Sequence, residues 1–184
     1  MGVVETAQQL ADEVLYPAAL TTDESETLPA ELLDTLSAAG LYGIVGPEWA
    51  GGCEAEFLDF CAAIEALASG CLTTTFVWVQ HHGAVRAAML SENEAVRDWL
   101  TTLCRGGWRA GLALGGALPG EPRLVAREVD DGWKLDGVSP FVSGWAGSTS
   151  SSRWRAPRTD GSSACCSTPA RAGRSSSSGC GSWR

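Results

Sequence analysis

Pro29-Ala30-Glu31-Leu32-Leu33-Asp34-Thr35-Leu36-Ser37-Ala38-Ala39-Gly40-Leu41-Tyr42-Gly43-Ile44-Val45-Gly46-Pro47-Glu48-Trp49-Ala50-Gly51-Gly52 is the stretch whose reading decides the fold. Proline suits a first helical turn, because the N–H it lacks would have no intrahelical partner there. Leu32, Leu33 and Leu36 follow at helical spacing, and Gly40 stands where a helix leaves through the left-handed region. The stretch predicts an amphipathic helix over 29–39, a short apolar segment at 41–44, and a tight loop forced by Gly51-Gly52.

Working outward, the same period recurs on both sides. Val4, Leu10, Val14 and Leu15 predict a first helix near 3–18 that ends at about Pro17, with residues 21–26 as a polar connection. Phe57, Cys61, Ile64 and Ala68 predict a helix over 54–69 that stops at Gly70. Residues 73–90 are apolar on most sides, as in a helix buried among other helices. Val96, Trp99, Leu100 and Leu103 predict a helix over 93–104, with Ser91 as its cap and Gly106-Gly107 as its stop. After Trp108 the period falls to two. Leu112-Ala113-Leu114 reads as a strand, and residues 125–129 turn through Asp130-Asp131-Gly132 into 133–136 as a hairpin. The class is α+β: an N-terminal all-α helical bundle domain (1–107) followed by an incomplete antiparallel β domain (108–147).

Residues 148–184 are a different kind of chain. They hold 12 Ser and six Arg against one acid, Asp160, with no Val, Leu, Ile, Met, Phe or Tyr. So little apolar surface cannot offset the entropy of ordering, and a disordered tail is expected. Its arginines, interleaved with Trp154, carry no nucleic-acid recognition module. Runs such as Ser175-Ser176-Ser177-Ser178 are what a Val-rich, GC-rich message yields when read one nucleotide out of phase. With GC-rich codons assumed, regrouping after Trp145 restores Gly-Ile-Asp-Val-Val-Val-Ala-Val-Ala-Arg-Ala-Glu-Asp-Gly-Arg-Val-Val-Gly-Val-Leu-Leu-Asp-Ala-Arg, a strand, turn and strand pattern. The expectation is a frameshift close to Trp145.

Residues 1–147 hold seven basic against 21 acidic residues, within a net charge of −9 for the whole chain. That balance disfavours nucleic acid and anionic membranes as partners. There is no apolar run of membrane-spanning length and no secretory leader pattern, so a cytoplasmic protein is expected. Cys53, Cys61, Cys71 and Cys104 have irregular spacing without any C-x-x-C, and the first three read as small apolar helix residues in a reducing compartment. His81-His82 cannot serve as a joint metal-binding pair, because adjacent side chains on a helix diverge by about 100°. No G-x-S-x-G, P-loop or G-x-G-x-x-G occurs, so any chemistry belongs to a cofactor.

Three words of this sequence carry a resemblance: Pro29-Ala30-Glu31-Leu32-Leu33 with Leu36, Gly40-Leu41-Tyr42-Gly43-Ile44, and Pro47-Glu48-Trp49-Ala50-Gly51-Gly52. In words and spacing they resemble the acyl-CoA dehydrogenase family, as does Asp131-Gly132-Trp133-Lys134-Leu135-Asp136-Gly137 at the hairpin. The resemblance implies a flavin-dependent oxidoreductase of fatty acid and lipid metabolism. It would use FAD to oxidise the CH-CH bond of an acyl-CoA thioester, pass electrons to an electron-transfer acceptor, and form homo-oligomers.

The resemblance also implies cofactor contacts. Phe141 and Ser143 fall where the family has Trp-Ile-Thr-Asn, so Phe141 would lie beside the isoalloxazine ring and Ser143 would replace the flavin-bonding threonine. Leu114 and Gly115 belong to an earlier flavin-contacting strand, although the family's following Thr-Glu-Pro word is replaced by Gly116-Ala117-Leu118-Pro119-Gly120. No residue corresponds to the family's catalytic glutamate, which comes from a C-terminal domain. Glu31, Glu48 and Glu65 read as solvated acids, and neither a catalytic residue nor a metal ligand is assigned. The expectation is an inactive fragment. Its rivals are a flavin-dependent monooxygenase of the same fold and a non-enzymatic module that pairs with an intact homologue.

Overall fold

The computed structural model describes residues 2–113, 119–129, 132–139, 142–143 and 164–169. The helices are α1 (Val3–Leu10), α2 (Tyr16–Glu24), α3 (Ala30–Ala38), α4 (Phe57–Gly70), α5 (Leu72–Leu90), α6 (Glu94–Arg97) and α7 (Leu100–Cys104). The strands are β1 (Trp108–Ala113), β2 (Leu124–Val129), β3 (Gly132–Gly137) and β4 (Ala164–Pro169).

The first helix does not end at Pro17, as its sequence predicts, but runs on to Glu24 through a π turn at Ala11–Leu15. Within that turn the Tyr16 N–H donates to the Ala11 carbonyl five residues back. Proline in a regular helix loses one hydrogen bond and presses on the carbonyl four residues earlier. Here the wider turn precedes the proline, and Pro17 falls in the first turn of α2. The expected helix over 93–104 is likewise two short pieces, α6 and α7. Asn93, not Ser91, caps the first of them: its side chain accepts from the Ala95 N–H at 3.0 Å, while the Ser91 hydroxyl accepts from the Asn93 N–H.

The apolar stripes meet in two clusters. Leu15, Leu32, Leu33, Leu36, Leu41, Tyr42, Ile44, Leu67 and Trp78 form the larger, between α1, α3, α4 and the first half of α5. Val85, Val96, Leu100, Leu103, Cys104 and Ala110 form the smaller, where the second half of α5 meets α6, α7 and β1. Helix α5 runs through both, as its all-round apolar sequence requires.

The segment 43–55 is folded tightly against α7. Backbone bonds from Cys53 to Gly43, Glu54 to Gly46 and Ala55 to Ile44 close it. A Cβ on Gly52 would lie 2.1 Å from the Gly46 carbonyl oxygen, so only glycine fits. Strands β2 and β3 pair antiparallel from Leu124↔Gly137 to Val129↔Gly132, which is the hairpin expected. Within the tail, Ala164–Pro169 pairs antiparallel with β1, a strand that the tail's composition does not predict. The remaining tail residues lie outside the described set.

Candidate functional site

Strand β1 buries Ala110, Gly111 and Ala113, and it packs on α5 and α7. One of its edges is paired with β4. On the other edge two side chains act as acceptors. The Ala110 N–H donates to His81 Nδ1 of α5 at 3.1 Å, and the Leu112 N–H donates to the Ser143 hydroxyl oxygen at 2.9 Å. The Ser143 N–H returns a bond to the Leu112 carbonyl at 3.1 Å, and Val142 forms a bridge with Ala113. Gly111 is required at this crossing, because a Cβ there would stand 2.0 Å from the Ser143 carbonyl oxygen.

Among the residues named from sequence, Ser143 is therefore held, half-buried, against the strand that leads toward Leu114 and Gly115. Leu114, Gly115 and Phe141 lie outside the described residues. A hydroxyl that accepts through its oxygen keeps its proton for donation, so Ser143 can still offer a hydrogen bond to an acceptor atom of a ligand.

Behind β1 lies a chain of ring contacts that sequence reasoning did not foresee. Phe60, Trp78, His82, His81 and Tyr42 follow one another edge to face or tilted, with the Trp78 and His82 centroids 4.6 Å apart and those of His81 and Tyr42 4.7 Å apart. Arg109 of β1 stands over the Tyr42 ring, 5.5 Å from its centroid, and pairs with Asp34 of α3. Complete burial holds the His81 pKa down to about 3, against a smaller upward pull from the Leu103 carbonyl; Arg109 lowers it further and the Tyr42 carbonyl opposes. Those carbonyls do not reach hydrogen-bonding geometry with Nε2. His82 is also pushed well below the usual histidine range, by burial and then by His81. Burial raises Tyr42 to about 12.

These groups are neutral rings in a packed interior. No cluster of three or more His, Cys, Asp or Glu side chains among the described residues could hold a metal ion. Glu31, Glu48 and Glu65 are exposed, as solvated acids would be, and burial raises the Cys53 and Cys104 thiols away from nucleophilic character. No helix among the described residues is long and apolar enough to cross a membrane.

Residues 2–107 match the family described as acyl-CoA dehydrogenase, N-terminal domain. The human mitochondrial short-chain specific acyl-CoA dehydrogenase is 25% identical over 146 residues, covering 76% of this chain and 35% of that protein. The 3-sulfinopropanoyl-CoA desulfinase of Paraburkholderia xenovorans is 26% identical over 145 residues, covering 76% and 37%. Among solved structures, the FAD complex of PigA superposes with a TM-score of 0.66 at 26% identity, covering 76% of this chain and 39% of that one. The methanesulfinate monooxygenase MsuC of Pseudomonas fluorescens superposes with a TM-score of 0.71 at 24% identity, covering 92% and 43%. The chain spans about a third of the length of the curated relatives it matches.

Proposed function

This chain belongs to the acyl-CoA dehydrogenase family, and from that premise we propose that it is the N-terminal portion of a flavin-dependent oxidoreductase acting on the CH-CH bond of acyl-CoA thioesters, inactive by itself. The observation that carries the reading is the Ser143 hydroxyl, whose oxygen is fixed by the Leu112 N–H and whose proton is left to donate. That fits a ligand with an acceptor atom at the strand edge, such as a ring nitrogen of FAD. Leu114, Gly115 and Phe141 would complete the protein's side of the cofactor contact.

Bound FAD would supply the hydride acceptor. The chain's own task is then binding and orientation: Ser143 offers one directed donor, and Gly111 lets that donor's backbone cross β1 closely. Proton abstraction needs a buried, positioned carboxylate, and Glu31, Glu48 and Glu65 are exposed. The out-of-phase reading of residues 148–184 belongs to the same proposal, and so does delivery of electrons to a separate acceptor protein. A second reading, a flavin-dependent monooxygenase of this fold, is favoured by Gly116-Ala117-Leu118-Pro119-Gly120 standing where the dehydrogenases have their Thr-Glu-Pro word.

The test is titration of the 184-residue chain with FAD, beside a version whose reading frame is restored after Trp145 and continued into a full-length protein. The first should bind flavin weakly or not at all, and the second should be yellow and reduce a dye when given acyl-CoA. Oxygen consumption without dye reduction would favour the monooxygenase. Stoichiometric flavin on the 184-residue chain, or dye reduction by it alone, would overturn the reading of an inactive portion.

A further inference from the structure

We propose that His81 is a positioning residue, an acid-labile latch that holds β1 on the helical bundle and, through Leu112, sets the place of Ser143. The two side-chain bonds to β1 fall on one edge and on alternate residues, Ala110 to His81 Nδ1 and Leu112 to Ser143 Oγ. A strand edge needs its N–H groups satisfied, and among the described residues the acceptor for Ala110 is His81 Nδ1, a side chain and not a neighbouring strand. The imidazole does so only as the tautomer with Nδ1 bare and the proton on Nε2.

The surroundings make that acceptor rigid. His81 is 1% exposed and in contact with the rings of Tyr42 and His82, both steeply inclined to its own. The titratable and charged groups facing it are Tyr42 from the turn Leu41–Gly43, Arg109 from β1 with Asp34 of α3 behind it, and His82 from α5 itself. Helix α7 contributes the Leu103 carbonyl rather than a charge. Protonation would turn Nδ1 from acceptor to donor, breaking the Ala110 bond, and would bury a cation near Arg109. Opening β1 exposes the ring and allows the proton to bind. The open population should therefore grow by about tenfold for each pH unit below the ordinary histidine range, while the closed form stays unprotonated. This inference does not depend on the flavin reading, because its readout is the Ala110 amide.

The experiment is amide hydrogen exchange on the full chain, expressed as protection so that the intrinsic pH dependence of exchange is removed. Ala110 and Leu112 should lose protection steeply between pH 7 and pH 4.5, while amides in the middle of α4 change less. His81→Asn places an oxygen acceptor near the position of Nδ1 and should keep Ala110 protected with a flatter pH response. His81→Phe keeps a ring but no acceptor and should lower Ala110 protection at least about tenfold at pH 7. Equal protection in His81→Phe and wild type, or equal loss in the Asn and Phe variants, would overturn the latch. If the variants do not fold, the nitrogen-15 spectrum of His81 in the wild-type chain decides: a bare Nδ1 with Nε2–H supports the latch, and Nδ1–H rules it out.

Discussion

His82 carries two ring nitrogens that find no hydrogen-bond partner among the described residues, at 5% exposure. An unpaired buried polar group costs about 1–3 kcal/mol, so His82→Leu should be neutral or slightly stabilising at pH 7 despite the ring contacts it removes. The pH dependence has a fixed sign. The folded-state pKa lies below the unfolded one, so the stability tied to a neutral His82 is complete above the ordinary value near 6.5 and declines as pH falls below it. Each such group contributes a slope of up to about 1.4 kcal/mol per pH unit. Urea unfolding of His82→Leu between pH 7 and 4.5 should show a shallower loss than wild type, and an unchanged slope would mean that His82 is protonated in the fold. Ser143→Ala removes the acceptor of the Leu112 N–H and should cost about 0.5–1.5 kcal/mol in the same measurement, with Ser143→Thr near wild type. Ser143 was legible as a candidate because its word resembles a known one. The roles of His81 and His82 were not: the sequence says that adjacent side chains diverge, and only tertiary packing decides that Tyr42 and Arg109 meet one ring while Phe60 and Trp78 meet the other.

Elements with an apolar stripe were the most legible, because burial selects the period directly; α3, α4 and α5 stand within a few residues of their expected bounds. The first helix misled because Pro17 is a local signal, and the π turn that accommodates it depends on what lies alongside. A Cβ on Gly70, at the end of α4, would sit 2.7 Å from the Ala11 carbonyl oxygen and 3.0 Å from Leu15 Cβ, so α4 and the π turn touch through this glycine. Two effects compete in Gly70→Ala. Helix propensity favours alanine by about 1 kcal/mol, whereas overpacking costs about 1–3 kcal/mol. The substitution should therefore lower the melting temperature, and a higher one would show that the two segments separate easily. The hairpin was legible from its turn, yet Val125, Val129 and Leu135 are 40–48% exposed and a lone two-stranded ribbon is marginal in water. Its amides should exchange far faster than those of α5 in the same sample.

For the whole molecule, the question is whether the strand in the tail, Ala164–Pro169, belongs to the fold or only rests on it. Strand β1 has one edge satisfied by His81 and Ser143 and the other by β4, so β4 supplies backbone hydrogen bonds where water could do the same. Both apolar clusters, by contrast, draw every one of their described members from residues up to Leu112. Backbone bonds at an accessible edge contribute little net stability, while each large core side chain contributes about 1.5–3 kcal/mol. Ending the chain after residue 147 should therefore leave the helical circular dichroism and the cooperative thermal transition nearly unchanged. The cost should appear elsewhere: a bared β1 edge is a template for pairing between molecules, and the shortened chain should associate more readily at high concentration. Sedimentation of the two chains beside their melting curves measures both effects. Loss of the cooperative transition on shortening would make the Ser- and Arg-rich tail part of the core, and the frameshift reading of that tail would then fall with it.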